Sequence, residues 1–169
     1  MIRRLLYRLS GWLPCRIISE GDRPYLERYY VATLFGVRCY LHRFVGSDPD
    51  RGLHDHPWAW GASLILSGWY LEETRSGTRV VKRFNAFTGD HFHRVIVPQG
   101  APTEVWTLFF HRAGDIKPWG FLRPVPDTPA DHGLMWVAFR YPQKKGAWWK
   151  TAPRGADCPE RQPAGEPPQ

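Results

Sequence analysis

The chain has 169 residues, 23 Lys and Arg against 16 Asp and Glu, and a formal net charge of +7. That length suits one domain with a core of its own. A hydrophobic share of 43% with nine Trp excludes a mostly disordered chain, and no apolar run is long enough to span a bilayer.

Residues 2–13 read IRRLLYRLSGWL. Ile2, Leu5, Leu6, Leu9 and Leu13 fall near helical spacing, with Arg3, Arg4 and Arg8 on the other face. Arg8 interrupts the apolar stretch a signal peptide requires, and a small-residue cleavage site is missing. The expectation is an amphipathic helix and lead-in over 1–24, closing one end of the domain. Attachment to a membrane surface is the second reading of this segment.

From 25 to 150 short apolar runs alternate with turn signals. The runs are YYVATLF (29–35), VRCYLHRFV (37–45), ASLILS (62–67), WYLEET (69–74), TRVVKRF (78–84), HFHRVIV (91–97), EVWTLFFH (104–111) and LMWVAFRY (134–141). They are rich in β-branched and aromatic residues, and Gly, Pro and Asp mark the breaks. The pattern predicts an all-β, antiparallel sandwich or barrel. The Pro-rich stretch 151–169 reads as a disordered tail. Cys15, Cys39 and Cys158 are odd in number and widely spaced, which fits a reducing, cytoplasmic setting.

Two HxH pairs carry the chemistry, His54-Asp55-His56 and His91-Phe92-His93. On a strand, residues two apart share a face, so His54 and His56 would aim both rings into one space. Two imidazoles so placed form half of a transition-metal site. His93, on a later strand, is the natural third ligand. His91 is the reserve, provided the strand starts early enough to include it. Asp55 and Asp90 are candidates to steady a loop or orient a ligand ring. His42, Arg43, Tyr70 and Trp106 are pocket candidates, and Arg43 and Arg94 could fork a substrate carboxylate. Of Glu72 and Glu73, at most one can face inward. KKGAWWK (144–150) mixes cations with Trp148 and Trp149, yet no nucleic-acid-binding signature accompanies it, so nucleic acid is not the expected partner.

The segments RGLHDHPWAWGASLILSGWY (51–70) and GDHFHRVIVP (89–98) resemble the cupin superfamily, and the chain is also similar to a group of small bacterial and phage cupins. His54, His56 and Gly68 match the first cupin motif, and His93 is placed as the metal-binding His of the second. Gly61 or Trp60 stands where the motif has Glu, and Val97 where it has Asn. The resemblance implies a double-stranded β-helix and a three-His site similar to the cysteine dioxygenase branch. It also implies one divalent metal, iron(II) first, with zinc, nickel and manganese as alternatives. The implied activity is oxygenation of a small polar substrate. A metal-assisted isomerase or lyase and a non-catalytic ligand-binding cupin are the other readings, and homodimerisation through sheet edges is a further expectation.

Overall fold

The computed structural model describes residues 1–98, 104–125, 133–140 and 147–165. Parts of three sequence readings lie outside the described residues: Tyr141 of the last run, residues 144–146 of the Lys/Trp segment and residues 166–169 of the tail. Helix α1 (Ile2–Ser10) is followed by β1 (Cys15–Glu20), β2 (Arg23–Leu34), β3 (Val37–Phe44), β4 (Trp60–Ser67), β5 (Tyr70–Thr74) and β6 (Gly77–Val81). Then come β7 (Phe84–Thr88), β8 (His93–Ile96), β9 (Val105–Arg112), β10 (Gly120–Pro124) and β11 (Leu134–Ala138). Every strand pairing among the described residues is antiparallel.

One sheet runs β1-β2-β3-β9-β4-β7. The other is assembled from β6-β5-β8 and β10-β11, and the residue between these pieces is His54. His54 exchanges both backbone hydrogen bonds with His93 of β8, at 2.9 and 3.0 Å, and also bridges Phe121 of β10. The expectation that the HxH segment is itself a regular strand is therefore corrected. It is an extended inset that completes a sheet, outside any named strand. The run TRVVKRF also splits, with Lys82 and Arg83 turning the chain between β6 and β7. β1 and β10 go beyond the expected runs; CRIISE and GFLRP are short and carry little alternation.

The six-stranded sheet is loaded on both faces. Toward the second sheet, Leu26, Phe44 and Val105 pack with Tyr70, Val81, Val95 and Val97. On the opposite face Tyr29, Leu41 and Trp106 pack with Cys15 and with Leu6 of α1. Strand alternation sorts the residues. His42 pairs with Thr107 across β3 and β9, while the next pair, Arg43 and Trp106, points the other way.

The stretch expected to be disordered is packed over 151–165. Arg43, fully buried, donates to the carbonyls of Gln162 and Pro163 at 2.7 Å each, and to Glu104 at 2.6 Å and Glu27 at 3.2 Å. The Gln162 amide donates to Glu27 at 2.7 Å. Arg161 reaches the Tyr29 hydroxyl and Ser10 Oγ, and Gly155 sits against the Ser10 carbonyl, where a Cβ would collide. Backbone polar groups and the Arg154 and Arg161 side chains, rather than an apolar run, hold this segment, which is why its composition hid it.

Deleting residues 152–169 strips Arg43 of two carbonyl acceptors in a buried setting. It should lower the unfolding free energy by about 2 kcal/mol or more. Urea titration checks this; a truncated chain with the wild-type midpoint would contradict the packing described.

Candidate metal centre

His54, His56 and His93 come together at the inner face of the second sheet. Their ring centroids are 4.9 Å (His54–His56), 4.9 Å (His54–His93) and 5.0 Å (His56–His93) apart, a nearly equilateral triangle. Nε2 of His56 and Nε2 of His93 face each other at 2.8 Å. A ring nitrogen from each of the three lies within 4.8 Å of the others. An ion bonded to three ring nitrogens at about 2.1 Å, with about 100° between bonds, spaces the centroids about 5 Å apart. The donors thus fit a divalent transition metal in both kind and spacing.

Each ring is positioned by its neighbours. The backbone exchange with His93 fixes His54. The His56 amide donates to the Gly89 carbonyl at 2.9 Å, and its ring stacks on Trp58 at 4.8 Å and Phe87 at 5.0 Å. Gly89 must be glycine for this approach, because a Cβ there would run into the Trp58 carbonyl oxygen. Burial pushes the His54 and His56 imidazoles well below their usual range, and the other nearby cationic groups add to the shift. Both rings are therefore neutral at neutral pH, with lone pairs available as ligands.

A buried carboxylate stands behind the His93 ring, on the side away from the triangle. Glu72 on β5 is fully buried and faces inward, while Glu73 turns outward to pair with Arg94 at 2.7 Å. Glu72 Oε1 lies 2.7 Å from His93 Nδ1, 2.8 Å from Asn85 Nδ2 and 3.3 Å from His91 Nε2. Burial alone would raise its pKa. Hydrogen bonds from His93 and Asn85, and then Arg79, outweigh that and hold it at about 2. An ionised carboxylate only accepts, so it keeps the proton on His93 Nδ1 and leaves the Nε2 lone pair facing His56. Glu72, His91 and His93 also form a second overlapping group of close donors. The sequence signal for Glu72 was strand alternation alone.

The remaining candidates divide. β8 begins at His93, so His91 precedes the strand, yet its ring still reaches Glu72. His42 is buried and stacks on Phe109 at 4.9 Å; its Nε2 accepts from Arg28 Nε at 3.0 Å. Tyr70 is buried in the inner core and its hydroxyl accepts from Asn85 at 3.2 Å. Arg43 and Trp106 do not line the interior, a correction that follows from alternation, since they occupy the outer face beneath α1 and the 155–163 segment. Arg94 is committed to Glu73 and Asp50. Asp55 accepts from the Gly120 amide at 2.6 Å and from Lys117 Nζ at 2.7 Å, steadying the loop rather than a ring. Asp90 is exposed and pairs with the same Lys117 at 2.6 Å, so the carboxylate that orients His93 is Glu72 and not Asp90.

No family model matches the sequence, and no curated protein matches it. Solved structures do. One, of the DMSP lyases RdDddP and RnDddQII, is 13% identical and aligns over 66% of this chain and 63% of that chain with a TM-score of 0.50. A cupin-2 domain from Rhodospirillum rubrum is 16% identical over 62% of this chain and 72% of its own, with a TM-score of 0.49. A cupin domain from Bordetella pertussis is 21% identical over 54% of this chain and 97% of its own, with a TM-score of 0.43. At such identities the likeness is one of fold alone: an antiparallel double-stranded β-helix with a short N-terminal helix.

In the metal-free protein, nitrogen NMR should find His93 as the Nδ1–H tautomer. In Glu72→Gln that preference should weaken. A predominant Nε2–H form in the wild type would contradict the role given to Glu72.

Proposed function

We propose that this chain is a cupin, that it holds one divalent metal through His54, His56 and His93, and that Glu72 orients His93 for the task. The carrying observation is the triangle of three rings with 4.9–5.0 Å sides. In this reading the ion is iron(II) and the protein is an oxygenase of a small polar substrate. Held by these three neutral ligands, such an ion would supply Lewis-acid and redox activation to an anionic or chelating substrate.

The chain's own residues have separable parts. Glu72 keeps the proton on His93 Nδ1, so that Nε2 presents its lone pair toward His56. Trp58 and Phe87 both stack on the His56 ring and hold its plane. Asn85 and Arg79 hold Glu72 ionised and in place.

One observation favours a second reading, a metal-assisted isomerase or lyase. The His91 ring is 32% exposed, lies outside the triangle and shares Glu72 Oε1 with His93. It can carry a proton between solvent and the site, as isomerisation or elimination requires.

Metal analysis of protein purified without added metal should find close to one divalent ion per chain. The His54→Ala/His56→Ala double variant should hold at most about a tenth as much, and Glu72→Gln should bind about 10–100-fold more weakly. Equal metal in the double variant would refute the site. Oxygen uptake by the iron-loaded protein across small thiols and carboxylates then tests the reaction. Full metal occupancy with no oxygen consumption overturns the oxygenase. A turnover that needs no oxygen and is lost in His91→Ala selects the second reading, and ligand binding without turnover selects a binding module.

A further inference from the structure

Helix α1 carries a wider apolar arc than the barrel covers. Leu6 and Ser10 are buried against the six-stranded sheet, and Tyr7 packs beside them. A second row, Ile2, Leu5, Leu9 and Trp12, is spaced three and four residues apart and runs down one side of the helix and its first turn beyond. These four are 48, 51, 52 and 78% exposed. The helix cannot roll to bury them. Arg3 bonds Ser67 Oγ at 3.0 Å, Arg161 bonds Ser10 Oγ at 2.8 Å, and Arg154 bonds the Trp12 carbonyl at 2.9 Å.

Charge is arranged around this row. Going about the helix, the buried edge is followed by the exposed apolar row and then by Arg4 and Arg8, both exposed. The helix contains no acidic residue. Beside Trp12 a hollow is lined by Arg8, Arg154 and Arg161 against the single carboxylate of Asp157. No helix among the described residues is long and apolar enough to cross a membrane.

We propose that the Ile2/Leu5/Leu9/Trp12 row, edged by Arg4 and Arg8, is a docking surface for an anionic phospholipid bilayer. The helix lies flat in the headgroup layer with the barrel above it. Apolar side chains and an indole enter the acyl boundary, and the guanidinium groups remain at phosphate level. Charge selects this occupant over a second copy of the chain. Antiparallel pairing of two such faces about a two-fold axis brings the two Arg4/Arg8 edges together on one side, with no carboxylate on either helix to offset them. An anionic surface instead attracts each of them.

Co-sedimentation of the full chain with vesicles is the test. Vesicles of phosphatidylcholine with roughly one-third phosphatidylglycerol should bind it, pure phosphatidylcholine should not, and added salt should weaken binding. Leu5→Ser/Leu9→Ser and Arg4→Glu/Arg8→Glu should each reduce the partition coefficient about tenfold or more. Both pairs are exposed, so thermal melting should stay at the wild-type value, which separates lost docking from lost folding. The His54→Ala/His56→Ala variant should bind vesicles as the wild type does, so this surface stands or falls apart from the metal reading. Absence of binding to the anionic vesicles, or binding that neither pair weakens, overturns the proposal. A dimer abolished by Leu5→Ser/Leu9→Ser, without vesicle binding, overturns it in favour of self-association.

Discussion

The two backbone hydrogen bonds between His54 and His93 hold the molecule's second sheet and its candidate metal centre together. Residues 53–56 are stitched on both edges. Leu53 accepts from the Leu122 amide, the Asp55 amide donates to Gly120, and the Asp55 carboxylate accepts in return from the Gly120 amide. Without this inset, β8 and β10 would present unpaired edges, a costly state for buried backbone. The same bonds set the spacing of the two rings they carry. Sheet closure and ligand placement are thus one constraint, which makes the donor triangle a product of the fold rather than of loop conformation.

Electrostatics completes the arrangement. His54 and His56 are kept neutral by burial. Glu72, in the same interior, is kept charged because Asn85, His93 and Arg79 all present donors to it. A buried carboxylate without such partners would protonate. The site therefore places one anion behind the ring of His93, where it directs a lone pair forward.

The all-β class and the convergence of His54, His56 and His93 were legible in the sequence, because strand composition and two HxH pairs are strong local signals. What resisted reading was the assignment of faces. His42 and Arg43 are adjacent on one strand, so only one could line the interior, and the buried Arg43 belongs to a layer that composition gave no reason to expect. Trp106 shares that fate through its pairing with Arg43. Glu72 stayed hidden because it lies outside the spacing of the motif and reaches His93 through sheet pairing. The 151–165 segment looked disordered because its anchors are main-chain carbonyls and amides together with two arginines, Arg154 and Arg161, none of which registers as apolar content. His54 and His56 share a space without a regular strand, since backbone bridges on both edges impose the extended conformation that a strand would have given.

Arg43 meets its two tail partners as carbonyl oxygens of Gln162 and Pro163, not as side chains. Any residue type presents the same oxygen, so position 163 is free to drift in sequence while the clasp persists, and position 162 needs only a residue with a backbone N–H for Glu27. The burden of mutation falls instead on the guanidinium and on Glu27 and Glu104, which admit few substitutes. The outer layer is thus robust where it is most exposed to change, and brittle at three charged side chains hidden beneath it.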